Sequence, residues 1–423
     1  MDSPAATLAW LTNLRAGGSR LGIERMRALM DQVQHPELTT PCIHVAGTNG
    51  KGSTCAMLEA IQRKAGGRST GLYTSPHLIH LGERIQHNRQ PLPEKSIIEY
   101  AEVLRSSVTA IHRETPDLAP TFFELMTCMA FQAFAQWKVD VAILETGLGG
   151  RLDATNVCKP LVTVITSIGL DHEEYLGNSI EAIAAEKAGI LKPGVPCVLG
   201  ELPLEAETVI RRRAHELGVK VYTVGERFGE NLPTTNLEGR HQAVNAGCAL
   251  LACEIISQKL PFDPVLAKQA LQSVEWNARW QRVHLPDGRT LIIDASHNEE
   301  GVRSLEPLLA KLHSPTVIVG ATGLARALPL LACVARHAGV LHLVEVANER
   351  ALSPAQLAGL LPPLKISVHH SQISELFPAK GQCSVQGDTV LVVGSLYLAG
   401  EVLARISGET PSVNWQDRLT PSR

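Results

Sequence analysis

Short apolar runs alternate with amphipathic segments along almost the whole chain. The apolar runs are rich in β-branched residues, and the first five start near residues 42, 139, 161, 195 and 219. Helical patterns such as SIEAIAAEKAGIL and EAETVIRRRAHELG lie between them. Continuously apolar strands separated by helices predict a mostly parallel sheet that is covered on both faces. The pattern therefore indicates an α/β fold, in which ligands bind at the carboxyl ends of strands.

A second, smaller unit of the same kind is predicted near the end of the chain. The polar stretch QRVHLPDGR at 281–289 predicts a turn or linker, and about five further strand candidates follow it. We expect a large domain over 1–284, a smaller Rossmann-like α/β domain over 285–408, and a flexible tail over 409–423. A mostly apolar segment that starts at His241 predicts a long, buried helix.

The composition narrows the range of functions. A chain of 423 residues with 44% hydrophobic and 19% charged residues is typical of two globular domains. Its net charge of −3 argues against a positively charged surface of the kind that binds nucleic acid. The sequence has no apolar run that could cross a membrane, and its nine dispersed cysteines are typical of buried thiols in a reducing compartment. We therefore expect a cytoplasmic protein without a nucleic-acid or membrane partner. We also expect a monomer, although nothing in the composition determines the oligomeric state.

The stretch HVAGTNGKGST, residues 44–54, is the strongest chemical signal in the sequence. It follows an apolar strand and opens a helical segment, so that its backbone N–H groups converge at a helix N-terminus. Lys51 can reach the terminal phosphates of a nucleotide, and the hydroxyl of Ser53 or Thr54 can bind Mg²⁺. The spacing from Gly47 to Lys51 is shorter than in the general Walker pattern, and an ordinary glycine-rich turn is the alternative. The pattern favours a nucleotide-binding protein.

Polar residues at other strand ends could share this site. Glu145 follows the strand VAIL and precedes a glycine-rich run, and a carboxylate there can bind Mg²⁺. Ser75 lies in a Ser-Pro turn after a short strand, and His172 follows the strand VTVI. On local grounds, turn residues and an ordinary loop histidine are the alternatives, and Lys187 would be a solvated helix lysine. The absence of Gly-x-Ser-x-Gly and Asn-Lys-x-Asp motifs from the sequence disfavours hydrolases and GTPases.

Taken together, these segments resemble the dihydrofolate synthase/folylpolyglutamate synthase family, within the Mur-ligase superfamily of ATP-dependent amide ligases. The resemblance extends from about residue 21 to residue 400 and rests on LGIERM, HVAGTNGKGST, YTSPHL, TFFE, ILETGLGGRLDATN, SIGLDHEEYLG, AEKAGILKPG, RHQAVNA, WNARWQ, IDASHN and VVGSLYLAG. It implies a P-loop Mur-ligase-type central domain and a smaller C-terminal domain. It also implies an acid–amino-acid ligase that uses ATP to add L-glutamate to dihydropteroate, to reduced folates such as tetrahydrofolate, or to both, through an acyl phosphate.

The resemblance also implies roles for individual residues. The matching ATP-binding positions are Thr48, Asn49, Gly50, Lys51, Gly52, Ser53, Asn245, Arg279, Asp294 and His297. A pair of Mg²⁺ ions would be held by Ser75, Glu145 and His172. The expected catalytic residues are Lys51, His172 and Lys187, and Lys187 matches a lysine that family members carbamylate. The pterin or folate positions are Leu21, Gly22, Thr121, Phe122, Phe123, Glu124, Leu152, Asp153 and Ala154, with core packing as the alternative for the two phenylalanines.

Departures from the family pattern leave alternatives open. Asn277-Ala278-Arg279 replaces a common Pro-Gly-Arg, IDASHN replaces IDGAHN, and GATGLARAL stands where an Asp-Lys-Asp motif is expected. The last change supports a nucleotide-binding homologue with altered catalysis, and a monofunctional folylpolyglutamate synthase is the other alternative. A cell-wall Mur ligase is disfavoured, because a loop at Gly47 leaves no room for a preceding UDP-sugar-binding domain.

Overall fold

A computed structural model describes residues 3–14 and 22–411 of the chain. Most of the predicted tail, from residue 412 onward, lies outside the described residues. The strands are β1 (Cys42–Ala46), β2 (Thr70–Tyr73), β3 (Ile85–His87), β4 (Gln90–Pro91), β5 (Val141–Glu145), β6 (Pro160–Ile165), β7 (Cys197–Leu199), β8 (Val221–Thr223), β9 (Gln281–His284), β10 (Thr290–Asp294), β11 (Thr316–Val319), β12 (Val340–Leu343), β13 (Ser367–His370) and β14 (Thr389–Val393).

The helices lie between these strands in the alternation that the sequence predicts. They are α1 (Pro4–Asn13), α2 (Glu24–Gln32), α3 (Lys51–Ala60), α4 (Glu94–Glu114), α5 (Phe122–Trp137), α6 (Glu173–Leu176), α7 (Ile180–Ala188), α8 (Leu204–Glu216), α9 (Val224–Phe228), α10 (Arg240–Ile255), α11 (Pro264–Leu271), α12 (Glu299–Leu309), α13 (Leu324–His337), α14 (Pro354–Gly359), α15 (Ile373–Leu376) and α16 (Leu396–Ser407).

The larger sheet has β1 in its interior. Its strand order is β4-β3-β2-β5-β1-β6-β7-β8, and all neighbours from β2 across to β8 pair in parallel. Ile43 and Val45 pack into one apolar core, whereas Cys42 packs into another, because alternate side chains of a strand face opposite sides of the sheet. The expected mostly parallel sheet is therefore confirmed, and it brings the carboxyl ends of β1, β2, β5 and β6 to one edge.

The smaller sheet has the order β13-β12-β11-β14-β10-β9. The prediction of a turn or linker over 281–289 is wrong for its first half, since residues 281–284 form β9, which pairs antiparallel with β10. β9 lies at the edge of the sheet, and its residues alternate between partly buried and exposed, which gives the strand its polar appearance. Only Leu285 to Arg289 form the turn, closed by a backbone hydrogen bond of 2.9 Å between them.

The predicted buried helix is confirmed as α10, most of whose residues are inaccessible to solvent. It packs against α3 in the same apolar core as β1. The nine cysteines are all buried and all free thiols, as expected from their dispersed positions. Among the helices of the described residues, none is both long enough and apolar enough to span a membrane.

Candidate active site

A cavity of about 1070 Å³ opens where the two sheets present their carboxyl edges to each other. It is lined by nearly all of the sequence-predicted site residues, namely Gly22, Thr48, Asn49, Gly50, Lys51, Gly52, Ser53, Ser75, Thr121, Phe122, Phe123, Glu124, Glu145, Leu152, Asp153, Ala154, His172, Lys187, Asn245, Arg279 and His297. Leu21 lies outside the described residues. Asp294 is placed behind the lining, where its carboxylate accepts backbone N–H bonds from Trp280 (2.8 Å) and Ser296 (2.9 Å).

The turn from Gly47 to Gly50 joins β1 to α3 and is fixed in place by the end of β6. The backbone N–H of Asn49 donates to Ser167 Oγ at 3.0 Å. Gly50 has a φ of +79°, and a Cβ at this position would lie 2.4 Å from the side-chain oxygen of Asn245. The turn therefore requires glycine at position 50 for its backbone conformation and for space.

Two lysines converge on the carbonyl oxygen of Gly47. Lys51 Nζ donates to it at 3.1 Å and to the carbonyl oxygen of Thr48 at 3.1 Å, and Lys187 Nζ donates to it at 2.8 Å. Burial, together with the charge of Lys51, lowers the pKa of Lys187 to about 7. Lys187 is thus a buried residue of the cavity, and the solvated helix lysine allowed on local grounds is wrong. The two lysines form a cationic corner that suits a phosphate.

Glu145, at the end of β5, is the buried carboxylate close to this corner. Its Oε2 accepts a hydrogen bond from the backbone N–H of Ser75 at 3.1 Å, so that two of the predicted metal positions touch each other. Burial raises the pKa of the Glu145 carboxyl, and the positive charge of Lys51 opposes that rise. A bound cation would favour the charged carboxylate, which burial disfavours.

Two further polar groups of the cavity are buried without a hydrogen-bond partner among the described residues. They are Ser53 Oγ, at the start of α3, and His172 Nδ1. Burial lowers the pKa of His172 to about 4, so that its imidazole is neutral at physiological pH. A hydroxyl, a neutral imidazole and the Glu145 carboxylate offer lone pairs to a divalent cation.

This donor set fits Mg²⁺ that is shared with a nucleotide. Within residues 3–14 and 22–411, no three histidine, cysteine or acidic side chains converge on a common metal position. Mg²⁺ commonly takes only one or two carboxylates from the protein and completes its shell with water and substrate phosphates. The sparse set of Ser53, Ser75, Glu145 and His172 therefore agrees with such an ion.

The residues predicted to bind the pterin line one part of the cavity, which is called the pterin wall and consists of Gly22, Thr121–Glu124 and Leu152–Ala154. Asp153 fixes the local backbone of this wall. Its Oδ2 accepts the backbone N–H groups of Gly147 and Leu148, both at 2.9 Å. Its Oδ1 accepts the backbone N–H of Thr155 at 3.0 Å and the Thr155 hydroxyl at 2.5 Å. With four donors on one buried carboxylate, Asp153 holds the glycine-rich turn after β5 in place.

Glu124 stabilises the other part of the pterin wall. Its side chain accepts the backbone N–H of Thr121 at 2.7 Å, which completes a capping box at the start of α5, and it forms an ion pair with Arg25 at 2.9 Å. Phe122 is 3% exposed and packs in the apolar core, whereas Phe123 is half-buried at the cavity. Sequence reasoning missed Arg25, although it lies within the quoted segment LGIERM.

Asn245, Arg279 and His297 complete the lining. Asn245 Nδ2 donates to Gln242 Oε1 at 3.1 Å, and Arg279 Nη1 donates to the carbonyl oxygen of Ala278 at 2.9 Å. Burial lowers the pKa of His297 and also that of Arg279, which nevertheless stays charged as arginines do in proteins. Arg279 thus adds positive charge to the cavity beside a neutral imidazole.

Sequence reasoning also missed the seam between the two sheets, formed by Asn49, Asp171, Asn298, Glu300 and Arg326. Asn49 and Asn298 exchange side-chain amide hydrogen bonds of 3.0 and 3.1 Å, and Asn49 Nδ2 also donates to Glu300 Oε2 at 2.8 Å. Asp171 forms an ion pair with Arg326 at 2.5 Å. The partners are more than a hundred positions apart in the chain, so that no local pattern could pair them.

A phosphate-binding turn in a parallel sheet, with a second α/β unit across a cationic cavity, defines a nucleotide-dependent ligase of the Mur type. The family model described as the Mur ligase middle domain matches residues 45–248. The dihydrofolate synthase/folylpolyglutamate synthase of Bacillus subtilis is 38% identical over 323 residues, which cover 70% of this chain and 74% of that protein. The folylpolyglutamate synthase of Lacticaseibacillus casei is 30% identical over 413 residues, covering 91% and 94%.

A solved structure of a similar protein matches this chain over nearly its whole length. Escherichia coli FolC in complex with DHPP and ADP matches with a TM-score of 0.83 and 30% identity, covering 96% of this chain and 98% of that one. The chain therefore belongs to the dihydrofolate synthase/folylpolyglutamate synthase family of ATP-dependent ligases, as its motifs predict.

We predict that Asp153→Ala lowers the free energy of unfolding by about 1–3 kcal/mol, because it leaves the N–H groups of Gly147 and Leu148 without their acceptor. Chemical denaturation of the purified variants measures this change. Asp153→Asn, which keeps one side-chain oxygen, should lose less, and the exposed Asp117→Ala is the matched control. Equal stability of Asp153→Ala and Asp117→Ala would contradict the role assigned to this carboxylate.

Proposed function

We propose that this protein uses ATP to join L-glutamate to dihydropteroate, to reduced folates such as tetrahydrofolate, or to both. The observation that supports the proposal is that one cavity gathers the phosphate-binding turn, the cationic corner and the pterin wall. Its structural neighbour FolC is a complex with DHPP and ADP, which is the combination of ligands that this cavity would take.

In the proposed reaction, a carboxylate oxygen of the pterin substrate attacks the γ-phosphorus of ATP, which gives an acyl phosphate and ADP. The amine of L-glutamate then attacks the acyl carbon, phosphate leaves, and the nitrogen loses a proton as the amide forms. Both steps bring anions together, so the main task of the protein is to neutralise charge. Lys51 and the turn from Thr48 to Gly50, at the N-terminus of α3, would hold the phosphates, and Arg279 would add positive charge beside them.

Mg²⁺ would be held by Ser75, Glu145 and His172, with Ser53 as a further hydroxyl ligand. When bound, Mg²⁺ neutralises charge on the phosphates of ATP. The protein supplies a buried carboxylate whose pKa is raised by burial and a histidine that is already neutral. The two sheets would also exclude water from the cavity, which protects an acyl phosphate from hydrolysis.

Lys187 would act as a carbamate. A lysine ammonium cannot attack CO₂, but a pKa of about 7 leaves much of this side chain as the free amine at neutral pH. The neutral amine nitrogen forms a bond to the carbon of CO₂, a C–O π bond of CO₂ opens, and the nitrogen loses one proton, which converts the neutral amine into a carbamate anion. The new negative charge would replace the positive charge of Lys187 beside Lys51 at the carbonyl oxygen of Gly47. It could also bind a cation.

The proposed function is tested by incubating the purified protein with ATP, Mg²⁺ and L-glutamate, and with either dihydropteroate or tetrahydrofolate. We expect release of phosphate and a product that is heavier by one glutamyl residue, as detected by mass spectrometry. Turnover with tetrahydrofolate alone would identify the monofunctional alternative. ADP binding without phosphate release with either pterin would overturn the proposal and favour a homologue with altered catalysis.

We predict that Gly50→Ala weakens ADP binding at least about tenfold, a loss of roughly 1.4 kcal/mol. The new methyl group would collide with Asn245 in a backbone conformation that alanine disfavours. Calorimetric titration with ADP measures the affinity. Gly67→Ala is the matched control, since Gly67 has a φ of +65° and a Cβ added there would meet no atom within 4 Å. If both variants bound ADP equally well, the turn would not be the nucleotide site.

We predict a carbamate on Lys187 that increases as the pH rises through about 7, because the ammonium form below that pH cannot react. Equilibration with ¹³C-bicarbonate should give a carbamate resonance in the wild type and in Lys192→Ala, a control at a lysine that is only partly buried, but none in Lys187→Arg. Lys187→Ala should lose turnover and regain part of it when a short carboxylic acid is added. A resonance that persists in Lys187→Arg would rule out this assignment.

A further inference from the structure

The atypical segment GATGLAR places Arg326 in the wall of the cavity. Arg326 lies in the first turn of α13, beside the smaller sheet, whereas Asp171 follows β6 of the larger sheet. Arg326 Nη2 donates to Asp171 Oδ1 at 2.5 Å, and the two side chains are only 21% and 10% exposed. This ion pair joins the two parts of the molecule where they meet over the cavity, and it is largely shielded from solvent.

Asp171 also connects Arg326 to the phosphate-binding turn through hydrogen bonds. Its second oxygen, Oδ2, accepts a hydrogen bond from Asn298 Nδ2 at 3.0 Å, and the same amide donates to Asn49 Oδ1 at 3.1 Å. Asp171 Oδ1 also accepts the backbone N–H of His172 at 2.9 Å. A continuous chain of polar contacts therefore leads from Arg326 to the turn that would hold phosphate and to a proposed ligand of Mg²⁺.

A second ion pair between the same two parts of the molecule provides a comparison. Arg350 and Glu174 lie 3.6 Å apart, and their side chains are 55% and 39% exposed. An exposed pair at this distance contributes little, because solvent screens it. The distance between Asp171 and Arg326 is shorter, and both side chains are more buried. Asp171 is also hydrogen-bonded to Asn298, another residue of the seam.

We propose that Arg326 is a positioning residue of the ligase: by binding Asp171, it holds the phosphate-binding turn and the backbone at His172 in register with the smaller domain. The inference rests on the proposed function. It gives the GATGLAR segment a part in the reaction, although the sequence alone associates this segment with altered catalysis. Arg326 acts here through Asp171 and Asn298 and needs no contact with the substrate.

The test measures steady-state turnover of the wild type, Arg326→Ala, Arg326→Lys and Arg350→Ala with the pterin substrate that the wild type uses. We expect Arg326→Ala to lose at least about tenfold in kcat, while KM for ATP changes less than about threefold, since the nucleotide is held mainly by the larger domain. Arg326→Lys keeps the charge and should regain part of kcat. Arg350→Ala should stay within about twofold of the wild type.

Asp171→Asn tests whether Arg326 acts through Asp171. The double variant with Arg326→Ala should lose less than the product of the two single losses, because both changes break the same interaction. If kcat of Arg326→Ala equals that of Arg350→Ala, or if the two losses multiply, the inference is overturned. Should Arg326→Ala fail to fold, Arg326→Gln decides the same question. An inactive wild type would instead overturn the proposed function, so that the two failures are distinguishable.

Discussion

The side-chain nitrogens of Lys51 and Lys187 share the carbonyl oxygen of Gly47, and the charge balance of the site depends on this arrangement. A single neutral acceptor cannot compensate two buried positive charges. Burial, together with the charge of Lys51, lowers the pKa of Lys187 to about 7. The nearby carboxyl of Glu145 has its pKa raised by the same burial. The fold thus leaves charges of both signs incompletely satisfied, and a phosphate with a divalent cation would satisfy them together.

Glycines allow the main chain of the turn to pack closely against its neighbours, because the side chain of a larger residue would collide with them. A Cβ on Gly47 would lie 1.9 Å from Thr166 Oγ1, and one on Gly52 would lie 2.7 Å from the ring of Trp276. The crowding at Gly47 comes from a neighbouring strand, since Thr166 directly follows β6, which pairs with β1. Glycine at positions 47 and 52 therefore allows the close packing around the turn.

The sequence predicts the fold well for elements that are fully buried, because their runs of apolar residues are visible in the local sequence. β1 and β5 are buried throughout and mostly apolar, and α10 is a long, mostly apolar helix, so each is visible without tertiary information. β9 could not be predicted in this way, because an exposed edge strand alternates polar residues and resembles a turn. The same distinction applies to the candidate site, where some residues follow from the local sequence and others do not. Lys51, Glu145 and His172 lie at or after the ends of strands, so the sequence could place them at one edge of the sheet. Arg326, in contrast, pairs with a residue 155 positions away, which only the arrangement of the two sheets reveals.

The separation of the pterin wall from the seam has an evolutionary consequence. The pterin wall is built entirely from segments of the first half of the chain, and the seam uses none of its residues. Substitutions that reshape the pterin wall would therefore leave the register between the two sheets unchanged. We expect acceptor preference to diverge among relatives by changes in a few neighbouring side chains, while the phosphate chemistry is inherited intact.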